Sequence, residues 1–198
     1  KEISEARNAN DNGESYYLEL FNKCSFLMQS IVNCSKPVIA EVDGIATAAG
    51  CQLVASCDLA IASDTSKFAT PGVNIGLFCS TPMVALSRNI NKKDAMKMLL
   101  TGDKVDAEEA KRISLINDYL PRENLTESVM QLAKKISKKS QVTLKTGKQA
   151  FYKQYEMTLA EAYEYTSKVM TENTLRADAK EGINAFIQKR DPNWEDSE

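Results

Sequence analysis

The spacing of hydrophobic positions along the chain changes several times, and each change marks an element. From about Glu14 to Cys34 the apolar residues Tyr17, Leu18, Phe21, Leu27, Met28, Ile31 and Val32 recur near helical spacing, which predicts a helix with one buried face. Lys36-Pro37 ends that helix, because the residue before a proline is pushed toward extended backbone. The run Val38-Ile39-Ala40 then predicts a strand. Asp43-Gly44 leads into a stretch of very small residues, Ala46-Thr47-Ala48-Ala49-Gly50, followed by a second amphipathic run and by an apolar strand that Asp58 opens. Short helical and extended pieces alternate to about Phe68, and Pro71-Gly72 with Gly76 mark a looped segment. Thr81-Pro82 fits a helix start with proline at the first helical position. A helix from Lys92 to Leu100 is closed by Gly102, and Asp106 with Glu109 fits a capping box for a helix from Ala107 to Ile113. Leu115 to Leu120 reads as an extended exit ended by Pro121.

After Pro121 the pattern is helical throughout. One helix is expected from Leu125 to Lys138 and another from Val142 to Tyr152. Thr158 and Glu161 make a second capping box opening a helix to about Thr171, and a last helix runs from about Asp178 to Lys189 before Asp191-Pro192. Strands mix with helices first and helices alone follow, so the fold class is α/β, with a core over residues 1–120 and a helical segment over 121–198. No internal repeat stands out.

Composition narrows the function classes. The chain has 198 residues, 43% of them hydrophobic and 26% charged, as an ordinary globular domain has. A net charge of −2 argues against a dedicated nucleic-acid binder, and no apolar run is long enough to span a membrane. There is no histidine, which excludes cysteine-and-histidine zinc sites and any triad with a histidine base. The five cysteines, Cys24, Cys34, Cys51, Cys57 and Cys79, lack a CxxC pattern and read as reduced, mostly buried thiols. The pairs Lys134-Lys135 and Lys138-Lys139 read as solvated helix faces, with phosphate binding as the alternative.

The segment Lys36 to Gly76 carries the candidate chemistry. Strand, tight turn and a helix start crowded with small side chains aim bare backbone N–H groups at a ligand. The first N–H groups of a helix have no internal partner and lie at its positive end. That arrangement suits an oxyanion or a polarised carbonyl. The alternative is that the small residues only let a helix pack closely on a sheet.

The stretches DGIATAAGCQLVASCDLAIAS, KFATPGVNIGLF and LLTGDKVDAEEAKRISLINDYLP together resemble the crotonase (enoyl-CoA hydratase/isomerase) superfamily, in family order and spacing and across nearly the whole chain. They resemble in particular its mitochondrial-type, enoyl-CoA hydratase domain-containing members. The resemblance implies a spiral of strand-strand-helix units followed by a helical C-terminal segment that builds trimers or dimers of trimers. It implies a coenzyme A thioester as substrate or ligand, with no covalently bound cofactor and no metal. It also implies fatty-acid metabolism, in the mitochondrial matrix of a eukaryote or the cytoplasm of a bacterium.

On the resemblance, Ala49 supplies the second of two N–H groups that hold the thioester oxygen. The first lies in a motif whose tail Lys1-Glu2 matches, so that donor, the opening strands and the first helix are expected upstream, and the chain is expected to be a truncated, split or partial form. Lys1 would touch a CoA phosphate; a frayed terminal lysine is the alternative. Gln52 and Gly72 stand where hydratases carry the two glutamates that hold and activate water. Glutamine cannot accept a proton and glycine has no side chain, so hydration should be crippled, by the roughly 10²–10⁴-fold that acid–base groups contribute. Restoring both glutamates should raise activity if only the acid and base are missing. Ser80, a weaker candidate, occupies the place some isomerases use, flanked by Cys79 and Thr81, which either line an acyl pocket or cap a helix. In the last helix Phe186 and Lys189 would reach CoA; packing by Ile183, Phe186 and Ile187, with a cation at a helix C-terminus, is the alternative. A non-catalytic thioester sensor or oligomeric scaffold is the second functional reading.

Overall fold

The computed structural model describes residues 2–196, and the chain divides into two compact units, residues 1–32 with 39–126 and residues 33–38 with 127–198. Lys1 and its expected CoA contact lie outside the described residues. In the first unit a short helix α1 (Glu2–Ala6), which the sequence pattern did not predict, precedes α2 (Glu14–Asn33). The strand β1 (Ile39–Val42) turns at Asp43-Gly44 into β2 (Ile45–Thr47), which leads into α3 (Ala49–Ser56). The pattern then repeats: β3 (Leu59–Ser63) passes into β4 (Lys67–Ala69), a 3-10 turn at Pro71–Ile75 and α4 (Ser80–Asn89). After α5 (Lys92–Thr101) come β5 (Val105–Asp106), α6 (Ala107–Arg112) and β6 (Asp118–Leu120).

Each strand-strand-helix unit places one strand in each of two sheets. β1 pairs in parallel with β3, and β3 with β6, while β2 pairs in parallel with β4, whose other neighbour β5 is antiparallel. Successive units stacked in parallel make a spiral, as the resemblance implies. The core between its walls holds Ala62, Phe68, Leu86, Ala110 and Cys51.

The corner between β1 and β2 is fixed by buried hydroxyls. Gly44 takes φ 114°, a conformation that suits glycine, and its N–H donates to Ser66 Oγ at 3.2 Å. Ser66 Oγ–H donates to the Val42 carbonyl at 2.9 Å and lies 2.8 Å from Ser63 Oγ. Lys67 N–H returns to the Gly44 carbonyl at 3.0 Å. Two buried serines thus set the angle at which the chain leaves one sheet for the other.

Three expectations need correction. The apolar stripe of α2 does not form a buried face: Met28 alone is buried, while Leu18 is 61% and Phe26 73% exposed, with Phe21 and Leu27 exposed as well. Leu18 and Phe26 border a surface groove with Ser15, Glu19, Asn22 and Lys23, which no other described element covers. Helical spacing reports amphipathicity, not the presence of a partner surface. The helix expected to open at Pro82 begins at Ser80 instead, with Cys79 at its cap. Pro82 still falls among the first N–H positions, where a missing donor costs no helical bond. Finally, Asp106 caps α6 as expected, accepting from Glu109 N–H at 2.9 Å, but the Glu109 carboxylate pairs with Arg112 rather than completing the box.

The second unit contains the rest of α7 (Arg122–Ser137), then α8 (Gln141–Gln154), α9 (Leu159–Leu175) and α10 (Ala177–Gln188). Thr158 and Glu161 form their capping box, the carboxylate accepting from the Thr158 N–H at 3.0 Å. The final segment folds back on these helices: Trp194 Nε1–H donates to the Lys138 carbonyl at 2.8 Å, and Glu181 pairs with Arg190 at 2.6 Å. Ile183, Phe186 and Ile187, which helical spacing offered as packing residues, are all exposed.

Replacing Ser66 with alanine leaves the Gly44 N–H and the Val42 carbonyl without their side-chain partner. We expect Ser66→Ala to lower stability by about 1–3 kcal/mol, read from the urea midpoint, with an unchanged denaturant slope.

Candidate active site around the start of helix α3

The candidate site begins with a strained residue. Ala48 caps α3 at φ 49°, ψ −115°, the backbone of the first central position of a type II′ turn, which glycine ordinarily fills. It is held there from both sides: Ala48 N–H donates to the Ala69 carbonyl of β4 at 3.0 Å, and the Ala48 carbonyl accepts from Gln52 N–H at 3.0 Å. Ala49 is therefore the first residue of α3 and is exposed. Among the described residues its N–H has no acceptor. The structure places the predicted donor at the positive end of a helix, with only a methyl group to shield it.

Gln52 lies on this helix itself, and Gly72 follows β4 in the 3-10 turn. Gln52 lies one helical turn beyond Ala49, so both fall on one face of α3, and Gln52 is only 4% exposed. Its Oε1 accepts from the thiol of Cys24 on α2 at 3.6 Å. Gly72 lies in the 3-10 turn three residues after Ala69, its N–H donating to Cys79 Sγ at 3.3 Å. A Cβ on Gly72 would stand 2.7 Å from the Leu77 carbonyl oxygen and 2.9 Å from Cys79 Sγ. The turn is closed against any side chain at this position. Restoring a glutamate at 72 is thus not the simple repair that the sequence suggested, because backbone must move to admit it.

Cys79 is buried at the cap of α4, next to Ser80 and Thr81. Ser80 is exposed, and its hydroxyl donates to the Phe78 carbonyl at 3.3 Å. Among the described residues no carboxylate or amine activates it. Ile75, Leu77 and Phe78 are exposed apolar neighbours in the same loop. The Cys51 thiol, inside α3, is pushed up to about 12 by burial, with the neighbouring Cys79 adding to the effect. It is an inert packing thiol, not a nucleophile.

Two members of this group were missed from sequence. Cys24 carried no signal, because its contact with Gln52 exists only once α2 has folded against α3. Thr70, fully buried between β4 and the 3-10 turn, has a hydroxyl oxygen with no partner. Phe186 and Lys189 lie in the other unit, where Lys189 ends α10 with φ 54° and its side chain is exposed.

With this geometry established, comparison with known proteins decides the family. The enoyl-CoA hydratase/isomerase family model matches residues 5–197. The chain belongs to the enoyl-CoA hydratase/isomerase family. It is 50% identical over 182 residues to the mitochondrial enoyl-CoA hydratase domain-containing protein 3 of Xenopus laevis, covering 92% of this chain and 62% of that protein. The mitochondrial enoyl-CoA hydratase of Pongo abelii is 36% identical over 167 residues, covering 84% of this chain and 58% of that protein. The crystal structure of human enoyl coenzyme A hydratase domain-containing protein 3 superposes with a TM-score of 0.91 at 49% identity, covering 95% of this chain and 74% of that one. The chain thus spans less than two thirds of the curated relatives' length, and it has the crotonase fold.

Two substitutions test the strain and the closure. Ala48→Gly relieves a backbone conformation costly to an L-residue and should raise stability by about 1 kcal/mol, seen as a higher Tm. Gly72→Ala should lower stability by about 1–3 kcal/mol through overpacking against Leu77 and Cys79; a neutral result would mean that the turn is not closed.

Proposed function

We propose that this protein binds an acyl-CoA thioester, with the Ala49 N–H donating to the thioester oxygen, and that it does not hydrate enoyl-CoA at an enzymatic rate. The observation that carries the reading is the unpartnered N–H of Ala49 behind the strained Ala48, in a family whose relatives are named for enoyl-CoA chemistry. The family resemblance calls for a second N–H donor to complete the oxyanion pocket. Polarisation by two such donors is worth several kcal/mol when charge develops on the oxygen, about 3–4 for each.

The expected acid and base are absent from this arrangement. Gln52 holds its oxygen against a thiol, and position 72 has no room for a side chain. Ser80 and Cys79 flank the site without a base to activate them. The exposed loop residues Ile75, Leu77 and Phe78 suit an acyl chain. Lys189 and Phe186 remain candidates for contact with CoA, and the exposed apolar residues of the second unit suit assembly into the expected trimer. Fatty-acid metabolism is the context the family resemblance implies, in the mitochondrial matrix of a eukaryote or the cytoplasm of a bacterium; relatives named mitochondrial support a mitochondrial setting for eukaryotic forms. The closure at Gly72 favours a second reading, in which the protein binds a thioester as a sensor and turns nothing over.

Crotonyl-CoA should show no measurable loss of enoyl absorbance with this protein, whereas calorimetric titration should detect binding of the same thioester. Hydration at an ordinary enzymatic rate would sink the first claim, and absence of binding by the full-length protein would sink the second. Gln52→Glu alone should leave hydration undetectable.

A further inference from the structure

We propose that residues 190–196 form a detachable latch, hinged at Lys189, that holds the end of α10 in helical form and opens without unfolding the helices it rests on. The latch is independent of the thioester reading, and every residue in it belongs to the second unit.

Helix α10 stops on an unfavourable residue. Lys189 takes φ 54°, ψ 41°, the left-handed conformation that closes many helices and that glycine adopts at least cost. Its N–H donates to the Ala185 and Phe186 carbonyls, and Arg190 N–H reaches back to the Ala185 carbonyl at 3.0 Å. A lysine meets its own Cβ in that conformation, so the stop needs support from outside the motif. Arg190 supplies it. Its Nη1 and Nη2 donate to the two carboxylate oxygens of Glu181 at 2.6 and 2.8 Å. The residue just past the hinge is thus tied by a two-pronged, charged hydrogen bond to the helix it has left.

The rest of the latch is held at separate points. Asn193 N–H donates to Glu181 Oε1 at 2.8 Å, and the N–H groups of Glu195 and Asp196 donate to Asp178 Oδ1 at 2.8 and 3.3 Å. Asp196 Oδ1 accepts from Gln141 N–H at 2.6 Å, and Trp194 Nε1–H donates to the Lys138 carbonyl at 2.8 Å. The indole lies against Gly182, where an added Cβ would stand 3.2 and 3.3 Å from two ring atoms. Glycine weakens a helix interior, and here it leaves room for the ring. Of residues 190–196 only Trp194 is half-buried; the others are exposed. Apart from that ring the anchors are surface hydrogen bonds, which water replaces at small net cost. The latch can therefore leave while α8 and α10 stay packed on α9. Once it leaves, Lys189 loses its support and the last turn of α10 frays, with the exposed Phe186 and Ile187 on it. The state of the latch decides whether those two side chains sit on a helix or on a loose end.

Trp194 is the single tryptophan of the chain, so its emission reads the latch directly. In rising urea that emission should change before the far-UV helical signal is lost. The amides of residues 186–190 should exchange with deuterium about tenfold faster, or more, than those in the middle of α8. Coincident transitions, with residues 186–190 exchanging only on global unfolding, would overturn the latch. Glu181→Gln, which uncouples Arg190, should speed exchange at residues 186–190 about tenfold and leave α7 to α9 unchanged; unchanged exchange there would overturn the proposal. Gly182→Leu sets two effects against each other. Leucine is a far better helix former than glycine, so propensity alone predicts slower exchange at the end of α10. A side chain wedged under the indole should instead lift Trp194 and make that exchange faster, and a slower rate would overturn the latch. Lys189→Gly added to Glu181→Gln should restore protection at residues 186–188, because glycine needs no support in the left-handed stop. Failure of that rescue would overturn the hinge at Lys189.

Discussion

The hydrogen bond from the Ala48 N–H to the Ala69 carbonyl governs where helix α3 begins. It extends the parallel pairing of β2 and β4 by one residue, and by doing so pins Ala48 in a backbone conformation that alanine disfavours. Without that pin, the strain would relax and α3 would begin elsewhere. With it, the helix starts abruptly at Ala49, and the next N–H in line faces outward instead of being absorbed by the ladder. Everything else in the site is positioned relative to that start: Cys51 and Gln52 by helical spacing, and Gly72 and Cys79 by the turn that follows the same Ala69. The corner hydroxyls of Ser63 and Ser66 serve the same end, since they fix the angle between β1 and β2 and hence the direction from which Ala48 arrives.

Much of this was legible in the chain itself. Small residues after an apolar strand announced a helix terminus, and the capping signals at Asp106, Thr158 and Gly102 marked true boundaries, because caps are local chemistry. The repeating strand-strand-helix unit was not visible as repetition. The two turns of the spiral share geometry but place different residues in similar roles: Ala48 caps a helix in one, and Cys79 in the other. The fate of the apolar stripe on α2 was illegible for a different reason. Spacing says which residues share a face, and only the folded chain says that Leu18, Phe21 and Phe26 stay exposed among the described residues.

At the site, the sequence supplied residue types and the structure supplied their directions. Gln52 read as a residue unable to act as a base. Its contact with Cys24 gives the amide oxygen a partner on α2. No pattern in the sequence links positions 24 and 52, which belong to different helices. Thr70 is similar: its place in a phenylalanine-alanine-threonine-proline run was plain, but its unpaired buried hydroxyl was not.

The closed turn at Gly72 has a consequence for how such a protein can change over time. A carboxylate at position 72 is reachable from glycine by few mutational steps, but each step that adds a Cβ meets the Leu77 carbonyl and Cys79 Sγ before it confers any chemistry. The chain would first have to reopen the loop between residues 72 and 79, and that change alone offers no catalytic advantage. The turn therefore acts as a ratchet: the road toward a carboxylate at position 72 stays barred until the packing against Leu77 and Cys79 is undone.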